Sequence, residues 1–415
     1  MFSLLYYAAA GAAETVVYLS GKIRIGIVGA GFIAAAHYDC AKAVYGCDFE
    51  ITGVTDIVSQ KAAGFAAERG ICHFGNFTEM LAKVDAVDIC TPPYAHADNI
   101  LDAANAGKGI MCEKPLLGYA PDKKDWDAFN GMETSKELML DIISKKTNAV
   151  YDAVKKNNTV FTYFENFVYT PQVQKEAEIV KKTKAQILRM TGEEAHKGNH
   201  AAYSNQWKFA GGGSLISTGS HPLGAIIYLK RVEGLARYGK PIRPESVSAR
   251  IHTLTKCKEY DDKGFLRCDY HDVEDYGWAH VVFEDGTVGD IIAGATVLGG
   301  INDYVDVFAA NHRTRININP VTLMETYNPK GAQFDDIYIN CSITTNEGWL
   351  KVGMDENWLF GYKAEMQDAI ECFADNKRQP ISGIELAADT IMAIYSGYLS
   401  SERLGQEVKI EKIGG

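Results

Sequence analysis

Long apolar runs are missing from this sequence: no stretch reaches the ~18 uninterrupted apolar residues needed to cross a bilayer as a helix, so no membrane span is expected. Positive charge is also scarce. Lys and Arg total 42 against 53 Asp and Glu, a net charge of -11, which argues against nucleic acid or an anionic membrane as partner. Cys-x-x-Cys pairs are absent, although there are nine cysteines. Their odd count, and the position of Cys90 and Cys112 inside apolar strand candidates, read as reduced, buried thiols in a cytoplasmic protein. The first twenty residues are apolar with an Ala-rich middle, yet lack the basic start of a signal peptide and any twin arginine. Residues 1–21 therefore read as an N-terminal extension: a disordered or swapped arm, or a start-site artefact. There is neither an internal repeat nor a low-complexity linker. The 415 residues suffice for two or three domains with a large core.

What is present begins at Lys22. Residues 22–28 form a buried strand candidate, followed at once by Gly29-Ala30-Gly31-Phe32-Ile33-Ala34 and a helical pattern over 35–44. In this G-x-G-x-x-A run Gly29 permits a tight turn, Gly31 lets backbone approach a pyrophosphate, and Ala34 allows close helix–strand packing. A second strand, 49–55, ends at Asp56, 22 residues after Ala34. A carboxylate there binds the adenosine ribose hydroxyls and repels a 2′-phosphate, favouring NAD over NADP. The competing reading of Asp56 is a helix cap or turn acid.

The β-α alternation continues with a helix over 61–69, a strand over 84–90, a helix over 97–106 and a strand over 109–112. Between them lies Thr91-Pro92-Pro93-Tyr94-Ala95-His96, at a strand's carboxyl end on the nicotinamide side of a bound dinucleotide. His96 either caps or touches the cofactor or is a solvated loop histidine. Glu113-Lys114-Pro115 follows the next strand. An X-Pro bond adopts cis at little cost, which would turn Lys114 back toward a cleft. A polar stretch, 118–134, precedes a long helix with Leu138, Ile142, Ala149, Ala153 and Val154 on one face, and a strand over 159–165 closes the first domain.

These three motifs resemble the glucose-fructose oxidoreductase/inositol dehydrogenase (Gfo/Idh/MocA) family, and Gly211 to His221 is similar to that family's second-domain motif. The resemblance implies an α/β protein: an N-terminal Rossmann domain (22–166) and a C-terminal α/β domain (167–415) with a large, mostly antiparallel open sheet that mediates homo-oligomers. It also implies tightly held NAD and hydride transfer at a carbinol carbon of a sugar or cyclitol. Cofactor residues carried over are Gly29, Gly31, Phe32, Ile33, Ala34, Asp56, Thr91, Pro92, Pro93, His96, Glu113 and Lys114. The C-terminal sequence is consistent, with strand patterns at 185–191, 246–255, 277–284, 287–298, 304–309 and 314–318, a hairpin turn at 284–287, and helices over 362–376 and 384–404.

Alcohol oxidation needs a base for the hydroxyl proton and a donor for the developing alkoxide. Lys114 and His221 are the candidates. If the Gly211–Gly213 run starts a helix, Ser217 and His221 lie at i and i+4 on one face. Position 217 is aspartate in most of the family and serine here. His221 is then a weaker base, or takes support from another carboxylate such as Glu193 or Glu194. Glu165, Asn166, Tyr169, Glu193, His196, Trp207 and Ser217 together suit a sugar ring, packing between domains being the alternative for each. His196 and His200 raise a metal site, but Gly198-Asn199 between them argues against a helix, and no metal is expected. The segment Cys268–Asp275 raises the same question and reads as an acidic loop.

The runs 165–171, 193–200 and 211–222 resemble a branch that oxidises the C3 hydroxyl of glycosides, whose product a separate lyase can cleave. Three readings stay open: an NAD-dependent sugar or glycoside dehydrogenase, a redox-assisted glycosidase, and a non-catalytic NAD-binding regulator.

Overall fold

The computed structural model describes residues 21–414 apart from 199–200, 320–323, 341–344 and 376–377. The N-terminal extension over 1–20, His200 and Cys341 therefore lie outside the described residues.

Two sheets organise the chain. The first is six-stranded and parallel, built from β1 (Ile23–Val28), β2 (Phe49–Thr55), β3 (Cys72–His73), β4 (Ala86–Ile89), β5 (Gly109–Glu113) and β6 (Phe161–Phe164), in the order β3-β2-β1-β4-β5-β6. The central strands are buried on both faces, as a parallel sheet sandwiched by helices requires: Ile25, Ile27, Val87, Ile89, Ile110 and Cys112 have no exposed surface. The strand order reverses between β1 and β4, and their carboxyl ends frame the crevice where such folds take ligands.

The second sheet has seven strands: β7 (Ile187–Ala195), β8 (Pro244–His252), β9 (Tyr276–Phe283), β10 (Val288–Gly294), β11 (Asn302–Ala309), β12 (Arg313–Asn317) and, after a small hairpin of β13 (Glu325–Asn328) and β14 (Gly348–Lys351), β15 (Val408–Lys409). The order is β12-β11-β7-β10-β9-β8-β15, and only β7 and β10 run parallel. β9 alternates strictly between buried and half-buried residues, the sign of a sheet covered on one face. The covered face packs against the helices Ser220–Tyr238 and Ile384–Glu402. The outer face keeps Trp278, His280, Ile292 and Tyr304 half-exposed. Among the described residues no helix is long and apolar enough to cross a membrane.

Several expectations shift. The helix Lys136–Lys156 buries Met139, Ile143, Thr147, Val150 and Val154, while Leu138 is 48% exposed. The apolar stripe is thus rotated from the one read around Leu138, because this helix packs on Ile384–Glu402, from the chain's far end. The helix Pro171–Thr183 went unread although Thr170 caps it and Pro171 opens it, a legible start signal. The cysteines are mixed: Cys40, Cys90, Cys112 and Cys372 are buried, whereas Cys72 and Cys257 are exposed.

Candidate functional site

The crevice at β1 has the features a dinucleotide needs. Gly29 sits at φ +98, and a Cβ there would come within 2.8 Å of the Cys90 carbonyl oxygen; glycine is required by backbone hand and by space. Gly31 precedes the helix Phe32–Ala41, whose first turn has no side-chain cap, and a Cβ on Gly31 would meet nothing within 4 Å. An open, uncapped helix start favours an anion. Ala34 is fully buried against the sheet, whereas Phe32 is 90% exposed and Ile33 half-buried at the crevice mouth. Asp56 accepts the Ala30 and Val58 amides at 2.8 and 2.7 Å. It acts as a turn acid and lies beside the glycine loop, so the two sequence readings of it are compatible. These residues fit an NAD pyrophosphate and ribose.

The loops after β4 and β5 are locked together by His96. This side chain is fully buried; its Nε2 faces the Thr91 carbonyl at 2.7 Å, and its Nδ1 faces the carbonyls of Pro115 and Leu116 at 3.0 and 3.1 Å. Burial holds its pKa below the usual imidazole range against the pull of those carbonyls. His96 is thus neither solvated nor open to a cofactor. It braces Thr91-Pro92-Pro93 against Lys114-Pro115, whose peptide bond is cis. A second buried histidine lies behind the same loop. His37 sets Nδ1 3.0 Å from Asp88 and Nε2 3.1 Å from Glu113. Burial opposes its charge, yet Asp88 beside it lifts its pKa well above the usual value, giving an imidazolium between two carboxylates. Glu113 accepts the Lys114 amide at 2.9 Å. His37, Asp88 and Cys90 bring three metal-competent atoms within 4.8 Å of one another; hydrogen bonds among them satisfy the group as a brace.

Lys114 leaves this frame toward the second sheet and donates from Nζ to the Ser217 carbonyl at 2.8 Å. Ser217 ends a short helix, Ser214–Ser217, and His221 lies in the next, Ser220–Tyr238. The two helices are separate, which corrects the single-helix i, i+4 reading: at Gly219 a side chain would strike the Leu215 carbonyl. His221 is 4% exposed and stacked on Phe167, with centroids 4.8 Å apart. Its Nδ1 lies 2.6 Å from Glu165 Oε1, and its Nε2 lies 3.7 Å from Glu194 Oε2. Burial pushes His221 down to about 4, so the ring is neutral at ordinary pH. Burial also lifts Glu165 well above the carboxylate range, Lys114 acting in the opposite sense. Glu194 is raised by burial too, with His221 and Lys114 opposing. The carboxylate in place of the expected aspartate therefore comes from the end of β6, far from position 217.

The remaining sequence candidates divide. Glu193 is on the outer face of β7, opposite Tyr304, because neighbouring strand residues point to opposite faces. Its neighbour Glu194 is the one that reaches His221. Asn166 is buried and donates to the Phe360 carbonyl at 2.8 Å; Tyr169 is buried and donates to Asp368 at 2.8 Å. Both clamp the segment around the helix Tyr362–Ala374 instead of lining a cleft. Trp207 has no exposed surface and packs against Tyr398 under Gly131, which makes it core. His196 follows β7 outside any helix and shares a crevice with Ser204, Ser217, Thr218 and Tyr270.

Two residues escaped the sequence reading. Glu274, inside the supposed acidic loop, is fully buried and accepts the Gly213 and Leu215 amides, each at 2.9 Å, and the Tyr398 hydroxyl at 2.8 Å. It pins the glycine run on which Ser217 and His221 depend. Asp303 stands directly across the β7/β11 ladder from Glu194 and is 3% exposed. An Asp at a strand start gives no local signal of either role. A cavity of about 530 Å³ opens at the amino end of β1, around Lys22, Gly109 and Asn158, away from all the motif residues.

Comparison with known proteins agrees with this geometry. Residues 23–139 match the family model described as an oxidoreductase family with an NAD-binding Rossmann fold, GFO_IDH_MocA. An inositol 2-dehydrogenase of Rhizobium meliloti is 42% identical over 97 residues, 23% of this chain and 28% of that protein. A glucose-6-phosphate 3-dehydrogenase of Bacillus subtilis is 26% identical over 253 residues, 60% of this chain and 63% of that protein. The matched regions thus span less than two thirds of either relative. Among solved structures, GenD2 from gentamicin A biosynthesis, in complex with NAD, superposes with a TM-score of 0.72 at 19% identity, covering 97% of this chain and 100% of that one. This likeness extends the fold across both sheets.

Proposed function

Because residues 23–139 of this chain belong to the Gfo/Idh/MocA oxidoreductase family with its NAD-binding Rossmann fold, we propose that the protein is an NAD-dependent dehydrogenase acting on a secondary hydroxyl of a sugar or glycoside. The observation that carries this reading is the meeting of Lys114 and Glu165, which follow β5 and β6 of the first sheet, with Ser217 and His221, from the helices packed against the second. A neutral imidazole and an ammonium converge where the Rossmann crevice opens toward the second sheet.

The division of labour follows from the geometry. Bound NAD would supply the hydride acceptor, held by the Gly29–Ala34 turn and Asp56, with Thr91 to Pro93 on its nicotinamide side. His221 takes the hydroxyl proton through Nε2 as the C–H hydride departs, leaving a carbonyl. Its low pKa keeps that nitrogen free at neutral pH. Glu165 fixes the ring through Nδ1, and the imidazolium that forms favours the ionised form of Glu165 in turn. Lys114 stabilises negative charge growing on the substrate oxygen, and Glu113, braced by His37, sets the start of its side chain. The near-complete burial of His221 and Glu165 excludes water and strengthens each of these interactions.

The C3 hydroxyl is the preferred position. Relatives named glucose-6-phosphate 3-dehydrogenase and UDP-N-acetylglucosamine 3-dehydrogenase support it. A cytoplasmic homo-oligomer formed through the outer face of the second sheet, its 3-oxo product passing to a lyase, completes the proposal. The test is an absorption scan of purified protein before and after a glucoside is added. A nicotinamide band that grows with sugar, and is abolished in Lys114→Met while NAD binding persists, is expected. Wild-type turnover in Lys114→Met would overturn the assignment.

A further inference from the structure

Ser217, whose carbonyl takes the Lys114 ammonium, also borders a crevice of about 10 Å³, walled in part by Gly213, Thr218, Ser204 and Tyr270. Two of these hydroxyls are already engaged: Thr218 donates to the Ser214 carbonyl at 2.9 Å, and Ser204 to the Ala201 carbonyl at 2.7 Å. Tyr270 differs. It is 6% exposed, and its hydroxyl has no hydrogen-bond partner among the described residues. Burial pushes the phenol up, so it stays neutral and can both donate and accept. A buried hydroxyl left open is costly unless a ligand or water group pairs with it. The segment carrying it is held in place: the His271 amide donates to the Asn205 carbonyl, and the Arg267 amide to the Lys197 carbonyl, each at 2.9 Å. Gly198 has φ +122, and a Cβ there would come within 2.4 Å of Arg267 Cβ and 3.2 Å of the phenol oxygen. The loop after β7 thus closes on Tyr270 from its other side.

Resting on the dehydrogenase reading above, we infer that this crevice is a subsite for one unsubstituted hydroxyl on a carbon next to the one oxidised, and that Tyr270 is the residue that reads it. The place follows from Ser217. Lys114, which grips its carbonyl, is assigned to the reacting oxygen, so a group entering beside Ser217 belongs to a neighbouring carbon. The size follows from the volume. About 10 Å³ is near the minimum for one water, so a hydroxyl fits and the extra carbon of an ether overfills the space. The floor cannot give way: a Cβ on Gly213 would lie 1.9 Å from the Glu274 carbonyl oxygen, and the Gly213 amide is pinned by the Glu274 carboxylate. Because the hydroxyl read here does not react, its bond to the phenol holds the ground state and the transition state alike. It therefore acts on KM.

The experiment presents the NAD-loaded full-length protein with methyl β-glucoside and its 2-deoxy, 4-deoxy, 2-O-methyl and 4-O-methyl derivatives, reading nicotinamide absorbance and calorimetric binding. At one of the two positions the wild type is expected to lose about 5- to 150-fold in kcat/KM with the deoxy sugar, and more with the methyl ether. Tyr270→Phe is expected to raise KM for the parent glucoside by a similar factor, with kcat and NAD affinity close to wild type. For the deoxy sugar at that position the Phe variant and the wild type should be alike, because the bond is already gone. An unchanged KM in Tyr270→Phe, or an equal rise for the parent and both deoxy sugars, overturns the inference. Tolerance of both methyl ethers by the wild type, or binding of none of these sugars, overturns it whether or not the variant folds. Position-specific binding that depends on Tyr270 but brings no absorbance change supports the subsite and instead overturns the dehydrogenase reading.

Discussion

Replacing Glu165 by Gln tests the arrangement around His221 most directly. The carboxyl group lies 2.6 Å from Nδ1, fully buried, and the bond becomes charge-assisted, worth about 1.5–3 kcal/mol, once His221 takes its proton. Glutamine keeps an acceptor of similar shape but cannot ionise beside the imidazolium, which removes roughly half that strength. If that loss appears where the imidazolium forms, kcat falls about 4- to 13-fold. Alanine removes the whole interaction and frees the ring to turn, so about 10- to 150-fold is expected. Steady-state rates at saturating sugar and NAD measure this, with NAD affinity unchanged in both variants because Glu165 touches no cofactor residue. The acid limb of kcat/KM should lie near pH 4, where His221 takes a proton. A Gln variant as fast as wild type, or an Ala variant faster than Gln, would refute the positioning role.

Other outcomes follow from the same geometry. Asp56→Ala removes the acceptor beside the glycine loop, so NAD affinity should drop about 10- to 150-fold with a smaller loss for NADP; equal losses count against ribose recognition. Glu274→Gln puts an amide hydrogen against one of the donors now pointing at it, destabilising the fold by about 1–3 kcal/mol in denaturant titration. Burial raises Glu274 to about 7, so the folded chain binds more protons than the unfolded one between pH 4.5 and 7. Its contribution is present below 4.5 and fades as pH rises to 7, by up to about 3 kcal/mol; the Gln variant should lose that slope. His221 acts in the opposite sense. Its lowered pKa means that stability is lost as pH falls from 6.5 toward 4.

The first sheet was legible because its signals are local. β2 spans the residues read for it, and the glycine turn follows β1 without interruption. The open second sheet followed from strand alternation together with the family resemblance. What escaped was set by distant partners. Choosing Glu194 over Glu193 requires knowing which face of β7 the helix Ser220–Tyr238 covers, and a period of two gives parity without its sign. Choosing Met139 over Leu138 depends on a helix more than two hundred residues away. Glu165 is 56 residues from His221, and no spacing rule links them. Ser217 drew attention as a missing carboxylate, while the structure uses its carbonyl.

The groups proposed to react are split between the two halves of the chain: Lys114 and Glu165 follow strands of the first sheet, and Ser217 and His221 lie on helices packed against the second. A rigid-body separation of a couple of ångströms would part ammonium from carbonyl and imidazole from carboxylate in the same movement. Each half of the machinery then idles without its counterpart, so a gaping conformer is inert instead of leaky. The fidelity of the reaction is thus written into the seam. Damage anywhere along that seam, such as loss of the bond from the Tyr119 amide to the Tyr395 hydroxyl, should be felt as slow turnover while the protein still looks folded.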